Sequence, residues 1–367
     1  MPGAGAPEDQ GDARERWGEA YRRDKGVWED FTGRVEQLVA DLLERNGIEV
    51  VQLSSRTKTV DSFLGKLGRK GSKYDNPLED VTDLAGVRVI TYYPEDVDRV
   101  VECVRQEFEI DPEHSRGTIA ASDPDRFGYQ SAQYVARISE DRKKLAEWAR
   151  FDTRCVEIQV RTALQHAWSA IDHKLNYKSE REVPRHLKRR LSRLSALLEL
   201  ADEEFTSLRD ATEDLDREYV REIQKGHLDL DVDAASLTAY VETRAIGSLW
   251  TEIALKAGFG EPRGGGDIED RDKRGLLLAL QRSGIRTISE LDRILGEAAA
   301  SWGPSLLAEL NVRSQAHGFR GTIYAEPYDV LTFIVLHAAR ADVVVTGEIG
   351  YHDSIRAALA ELVGREA

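Results

Sequence analysis

Three short segments constrain the fold more than anything else in this chain. GVRVITYY, ending just before Pro94, is an apolar, β-branched and aromatic run of strand length, and GYQSAQYVARIS and TRCVEIQVRT alternate at period two. Stretches of helical periodicity separate or flank them: EDVDRVVECVRQEF after the first, and ALQHAWSAIDHKLNYK after the third. Between the second and third, EDRKKLAEWARFD is a polar connection with room for a helical turn or two. Strands interleaved with helices predict an α/β fold built on a small mixed sheet backed by helices.

A chain of 367 residues is long enough for two domains. Residues 1–24, rich in Gly, Pro and charge, read as a disordered tail. Trp28, Phe31, Val35, Leu38, Val39 and Leu42 then recur at helical intervals, with Gly47 near the end of that helix. A long helix or helix pair runs from about Pro184 to Lys225, with Leu187, Leu191, Leu194, Leu198 and Phe205 on one face. The expected division is therefore a tail (1–24), an α/β domain ending in this helix (25–227) and a mainly helical accessory domain (228–367). In the last region Thr287 and Glu290 suit a capping box, and VLTFIVLHAAR and HDSIRAALAELVG read as helices, the first as core or, less readily, a partner surface.

The formal charge of −15 speaks against sequence-independent binding of long nucleic acids, which needs a net basic surface. No apolar run approaches the ~18–20 residues of a membrane span, and the polar, acidic start carries no leader pattern, so a cytoplasmic protein is expected. Cys103 and Cys155, each in an apolar pattern, suit reduced core thiols.

One local basic cluster stands against the acidic whole. Arg56, Lys58, Lys66, Arg69, Lys70 and Lys73 crowd a stretch of mostly helical pattern that leads into DLAGVRVITYY, delivering cations to the edge of a sheet, where a polyphosphate could be held. Asp83 precedes the first predicted strand, and Glu157, Gln159 and Arg161 share one face of the third. Two carboxylates brought together this way can hold Mg²⁺ against phosphate oxygens, and one can accept a proton from a hydroxyl. Taken singly, Glu157 and Arg161 could equally be a solvent-side pair, Asp83 a turn residue, and the lysines a solvated helix face.

The ordered set is more specific. Arg56, Lys58, Ser62 and Lys66 in R-x-K-x-x-x-S-x-x-x-K, Asp83, Gly86 and Arg88 in D-x-x-G-x-R-V, Tyr129 in F-G-Y-x-S, Glu157, Gln159 and Arg161 in E-x-Q-x-R-T, and His173 to Lys178 in H-K-x-x-Y-K together resemble the synthetase domain of RelA/SpoT-type alarmone enzymes, over roughly residues 50–180. The resemblance implies a nucleotidyltransferase-like mixed sheet and an ATP-dependent pyrophosphokinase that moves a diphosphate from ATP to the 3′-hydroxyl of GDP or GTP. It implies that Arg56 and Arg88 sandwich adenine, that Lys58, Ser62 and Lys66 grip the triphosphate, and that Asp83 and Glu157 bind Mg²⁺, with Glu157 also the base. Tyr129 would stack on the acceptor guanine, and Gln133, Gln159, Arg161, His166 and His173 would line the acceptor or the transferring phosphates. His166 and His173, seven apart on one helix face, suit packing or hydrogen bonding as well as chemistry.

Two departures bear on the acceptor. The family commonly shows Lys-Pro-Asn-Gly-Tyr where this chain reads Pro124-Asp125-Arg126-Phe127-Gly128-Tyr129, and a histidine where Gln133 stands. They leave open a toxin-like relative that modifies the tRNA 3′ end or makes an adenosine product, with the C-terminal region as regulator or internal antitoxin. A degenerate nucleotide sensor is a third alternative. The only His-Asp dipeptide, His352-Asp353, reads as a helix start, so product hydrolysis is not expected. A homo-oligomer is expected, with Mg²⁺ as the sole metal.

Overall fold

The computed structural model describes residues 8–70, 74–117, 131–177, 185–340 and 344–364. The chain divides into two compact units, Met1–Leu208 and Arg209–Ala367. The first contains, in order, α1 (Glu8–Arg45), β1 (Val50–Thr57), α2 (Val60–Lys70), α3 (Pro77–Asp80), β2 (Ala85–Thr91), α4 (Pro94–Glu107), β3 (Phe108–Arg116), β4 (Ala132–Ile138), α5 (Glu140–Lys143), β5 (Cys155–Thr162) and α6 (Ala163–Tyr177). The helix α7 (Arg185–Gln224) runs through the division.

The strands form one five-stranded sheet in the order β1-β2-β5-β4-β3. Only β2 and β5 run parallel; β1–β2, β5–β4 and β4–β3 are antiparallel, so the sheet is mixed as expected. One face is apolar: Ala85, Val87 and Val89 of β2, Val156, Ile158 and Val160 of β5, and Ala132, Tyr134 and Ala136 of β4 are buried with Phe31 and Val35 of α1 and Val100 and Val104 of α4. Truncating a fully buried member such as Ile158 to Ala costs about 2–5 kcal/mol. The opposite face carries the polar residues of the same strands.

Three elements differ from the sequence expectation. α1 begins at Glu8, so residues 8–24, expected to be a disordered tail, are helical; Trp17 and Tyr21 extend the stripe of Trp28, Phe31 and Val35, and Tyr21 is fully buried. The basic stretch read as mostly helical starts as a strand, because Arg56 and Thr57 pair with Gly86 and Ala85 and the helix opens only at Val60. β3 follows α4 directly and lies at the sheet edge, where Pro112 and a break in register between Asp111 and Arg116 are tolerated.

The second unit is helical: α8 (Ala234–Thr243), α9 (Ile246–Lys256), α10 (Gly266–Arg282), α11 (Ile288–Ala300), α12 (Gly303–Ala316), α13 (Pro327–Ala338), α14 (Val344–Ile349) and α15 (Asp353–Val363). Residues 330–336 of α13 are all buried, which makes VLTFIVL core rather than a partner surface. Thr287 and Glu290 form the expected capping box of α11. His352 caps α15 by accepting from the Ser354 N–H, the helix start expected from the sequence. No helix among the described residues is long and apolar enough to cross a membrane.

Candidate active site

The site begins at the loop before β2. Lys58, just past the end of β1, and Lys66, on α2, donate to the two oxygens of Asp83 at 2.7 and 2.9 Å. Both lysines are held in place by local structure. The Lys58 carbonyl accepts the Tyr21 hydroxyl at 2.7 Å, and its N–H bonds the Leu84 carbonyl at 2.8 Å. α2 is capped by Thr59, whose hydroxyl accepts the Ser62 N–H and donates to the Ser62 hydroxyl. Side-chain exposures of 14–22% leave this trio poorly solvated. Burial alone would raise the Asp83 pKa, but the hydrogen bonds and charges of Lys58 and Lys66 outweigh it and hold the carboxyl below its usual range.

The polar sheet face continues the site. Strand register places Arg56 beside Gly86 and Gly86 beside Glu157; one step along, Ser54, Arg88, Gln159 and Gln133 form a second row, and Arg161 follows opposite Ile90. A methyl group at Gly86 would stand 3.6–3.7 Å from the Arg56 side chain, so the Arg56 stem lies alongside Gly86. Gln159 links the row: its amide nitrogen donates to Glu157 Oε1, and its Oε1 accepts from Arg161 at 2.5 Å and from Arg88 at 3.4 Å. Arg56, Gly86, Arg88, Glu157 and Gln159 border a cleft of about 150 Å³ together with Ser54, Ser55 and Val87.

Charge is concentrated here and part of it is buried, Glu157 at 9% and Arg161 at 6% exposure. Burial, the neighbouring Arg88 and the more distant Arg56 push the Arg161 guanidinium down to about 10 despite Glu157. Burial, then Arg56, lower Arg88 as well. The Nε atoms of both arginines are buried without a hydrogen-bond partner. Such a face stores unsatisfied positive potential that an anionic ligand would relieve. His166 is lowered by burial and by the same two arginines, which makes it a neutral imidazole at physiological pH.

His166 reaches this position through the turn after β5. Thr162 and Gln165 form a reciprocal cap, Gln165 N–H to Thr162 Oγ1 at 3.1 Å and Thr162 N–H to Gln165 Oε1 at 3.0 Å, so the strand passes into α6 without a loop. His173 lies about 10 Å further along α6, two turns from His166, and is exposed. The structure therefore gathers Arg56, Arg88, Gln133, Glu157, Gln159 and Arg161 on one face, groups Lys58, Lys66 and Asp83 beside it, and leaves His173 apart. Tyr129 lies outside the described residues, as do Lys73 and Lys178. Ser54 and Ser55 were not foreseen, since β1 was not recognised; the polar run after VVQL was the available signal.

No group of three or more His, Cys, Asp and Glu side chains able to hold a metal occurs among the described residues. Asp83 and Glu157 are related by register alone, since Glu157 pairs with Gly86, three residues beyond Asp83. One or two carboxylates completed by water and substrate phosphates is the donor set Mg²⁺ commonly takes, so these residues fit the ion when phosphates accompany it. A larger cavity of about 660 Å³ belongs to the C-terminal unit and contains none of these residues. Charge and register, rather than volume, make the smaller cleft the candidate site.

Residues 55–182 match the family model described as the region found in RelA / SpoT proteins. The N-terminal unit therefore holds a RelA/SpoT-type domain, and the resemblance carried by the motifs is borne out over the span from which it was read. Among known proteins the chain is similar to the Bacillus subtilis GTP pyrophosphokinases YjbM, at 27% identity over 54% of this chain and 96% of that relative, and YwaC, at 27% over 42% of this chain and 71% of that relative. Among solved structures it is similar to the small alarmone synthetase 1 of Bacillus subtilis bound to its product pppGpp, at 26% identity and a TM-score of 0.41, covering 54% of this chain and 98% of that one.

Proposed function

We propose that the N-terminal unit is a GTP diphosphokinase, transferring the β,γ-diphosphate of ATP to the 3′-hydroxyl of GDP or GTP and releasing AMP. The observation that carries this reading is the continuous polar sheet face, Arg56–Gly86–Glu157 and Arg88–Gln159 in adjacent rows, set beside the Lys58–Asp83–Lys66 group. Similarity to two GTP pyrophosphokinases supports the same activity.

Arg56 and Arg88 hold the adenine between guanidinium planes, a role that favours arginine over lysine. Lys58 and Lys66 turn from Asp83 to the triphosphate, and Asp83 and Glu157 would hold Mg²⁺ if it accompanies ATP. The ion, once bound, neutralises phosphate charge. Glu157 Oε1 is engaged by Gln159, and the remaining oxygen takes the proton of the 3′-hydroxyl. The 3′-oxygen bonds to the β-phosphorus as the bond from that phosphorus to the α,β-bridging oxygen breaks, and the electron pair leaves with AMP. Arg161, Gln159, Gln133 and the neutral His166 would face the acceptor and the phosphates in flight, and Tyr129 would stack on the guanine; His173, exposed and two turns further along α6, stays outside this set. Positioning and charge neutralisation supply most of the acceleration in such transfers.

Acceptor choice is tested by incubating the protein and Mg²⁺ with ATP labelled in its γ-phosphate and, separately, GDP, GTP, ATP or tRNA. Label in a free guanosine nucleotide supports the proposal. Label on tRNA or an adenosine nucleotide alone supports the toxin-like alternative, and no transfer to any acceptor supports a sensor.

A further inference from the structure

We propose that Arg116, on the edge strand β3, binds the 5′-phosphates of the acceptor nucleotide. The assignment rests on diphosphate transfer as read above and extends that site by one strand. Register carries the row Ser54, Arg88, Gln159 and Gln133 on to Arg116, which pairs with Gln133, so the row crosses all five strands of the sheet. Directly opposed residues of neighbouring strands share a face. The next residue agrees: a methyl group at Gly117 would stand 3.4 Å from the Tyr134 hydroxyl, on the apolar side, which leaves Arg116 to the polar side.

An irregularity in β3 puts the arginine there. Asp111 pairs with Val135, so an unbroken antiparallel register would set Glu113 opposite Gln133. The extra residues of a bulge intervene, and Arg116 takes that place instead. The shift exchanges an acid for a cation at the end of the row. Bulges commonly re-aim side chains beside active sites, and they disrupt the ladder in doing so. Here the Ser115 hydroxyl compensates in part by accepting the Val135 N–H at 2.9 Å. Asp111, opposite Val135 on the same face, is engaged by His114 Nδ1 at 2.9 Å and by the N–H groups of Glu113 and His114. Arg116 itself is exposed, with no ion-pair partner among the described residues.

Position decides which phosphates the arginine meets. Arg56 and Arg88 stand on β1 and β2, on one side of Glu157; Arg116 stands on the other side, two strands away, about 10 Å across the sheet. With ATP over β1 and β2 and the acceptor 3′-hydroxyl at Glu157, the acceptor lies over β4 and β3. Its 5′-phosphates then come within reach of an arginine side chain at that edge. In the part of the row on those two strands Gln133 is neutral and Arg116 carries the charge. A guanidinium fork can take two phosphate oxygens at once.

Titration calorimetry of the full-length protein with GDP, and with guanosine as the ligand lacking phosphates, reads this contact without requiring transfer. Arg116→Gln should weaken GDP about tenfold, the worth of a charge-assisted hydrogen bond, and leave guanosine and ATP as they are in the parent. In the transfer assay KM for GDP should rise by about the same factor while kcat and KM for ATP hold. Unchanged GDP affinity in Arg116→Gln, an equal loss for guanosine or for ATP, or no GDP binding by the parent would each overturn the proposal. Weakened GDP binding in the variant, with no product formed by the parent, would support the phosphate contact and sink the diphosphate-transfer reading, so the two failures are told apart.

Discussion

Lys58 Nζ lies 2.7 Å from Asp83 Oδ2 while Lys66 takes the other oxygen at 2.9 Å, so one carboxylate pairs with two cations that the proposed reaction needs for phosphate and leaves the group one charge positive. The Asp83 pKa is below its unfolded value of about 3.9 because Lys58 and Lys66 outweigh the effect of burial. Stability from this group is therefore complete above that unfolded value and is lost as pH falls through the folded one. Asp83→Asn should lower neutral-pH stability by about 1–3 kcal/mol and make unfolding between neutral and acid pH less steeply pH-dependent. Thermal unfolding across that range checks it; an unchanged acid limb would refute the coupling.

Glu157→Gln keeps the size and the contact with Gln159 while removing the proton acceptor and a metal oxygen. The turnover number should fall by at least about 10²–10⁴-fold, the usual worth of a general base. Melting temperature should stay near that of the parent, and a variant that turned over at the parental rate would remove Glu157 from the chemistry.

Arg88→Lys preserves charge but not the guanidinium plane or the fork toward Gln159. KM for ATP should rise about tenfold or more, with a smaller effect on KM for the acceptor. An equal rise for both substrates would mean that Arg88 organises the sheet face rather than clamping adenine.

Gln133 stands opposite Gln159 on the polar face, where RelA/SpoT-type relatives commonly carry histidine. Gln133→His should lower KM for a guanosine acceptor severalfold below about pH 6.5, where a histidine of ordinary pKa carries charge, and have less effect above it. A change that is the same at both pH values would argue for shape rather than charge.

In the C-terminal unit, burial and then the charge of Asp272 push Asp329 up to about 7, although Tyr351 donates to its Oδ1 at 2.8 Å. A carboxyl raised in the folded state favours folding least where the unfolded chain is ionised, so stability declines from about pH 4 to about pH 7 and then levels. Asp329→Asn can still accept from Tyr351 and removes that decline. It should raise the melting temperature at about pH 8 and leave it nearly unchanged at about pH 4; equal effects at both would contradict the raised pKa.

What could be read from the sequence followed from how strongly each segment was patterned. β2 and β5 were legible because their inward residues, Val87 and Val89, Ile158 and Val160, are apolar without exception, and Glu157, Gln159 and Arg161 then fell on one face by alternation alone. β1 was not, since Ser54, Ser55 and Arg56 break the apolar pattern of an edge strand that pairs only with β2 among the described residues. β3 was hidden by Pro112, which only an edge position permits. The start of α1 was masked by glycine and charge around two informative residues, Trp17 and Tyr21. The Lys58–Asp83–Lys66 group spans 25 residues of chain and depends on how α2 packs, which no local pattern encodes.

The most direct test of the central claim is the phosphorus balance of one reaction, followed by ³¹P NMR with full-length protein, Mg²⁺, ATP and GDP. AMP and a guanosine nucleotide bearing a 3′-diphosphate should appear in equal amounts, and both should be absent with Glu157→Gln. Formation of ADP in place of AMP, or equal product from the Glu157→Gln variant, would contradict diphosphate transfer at this sheet face.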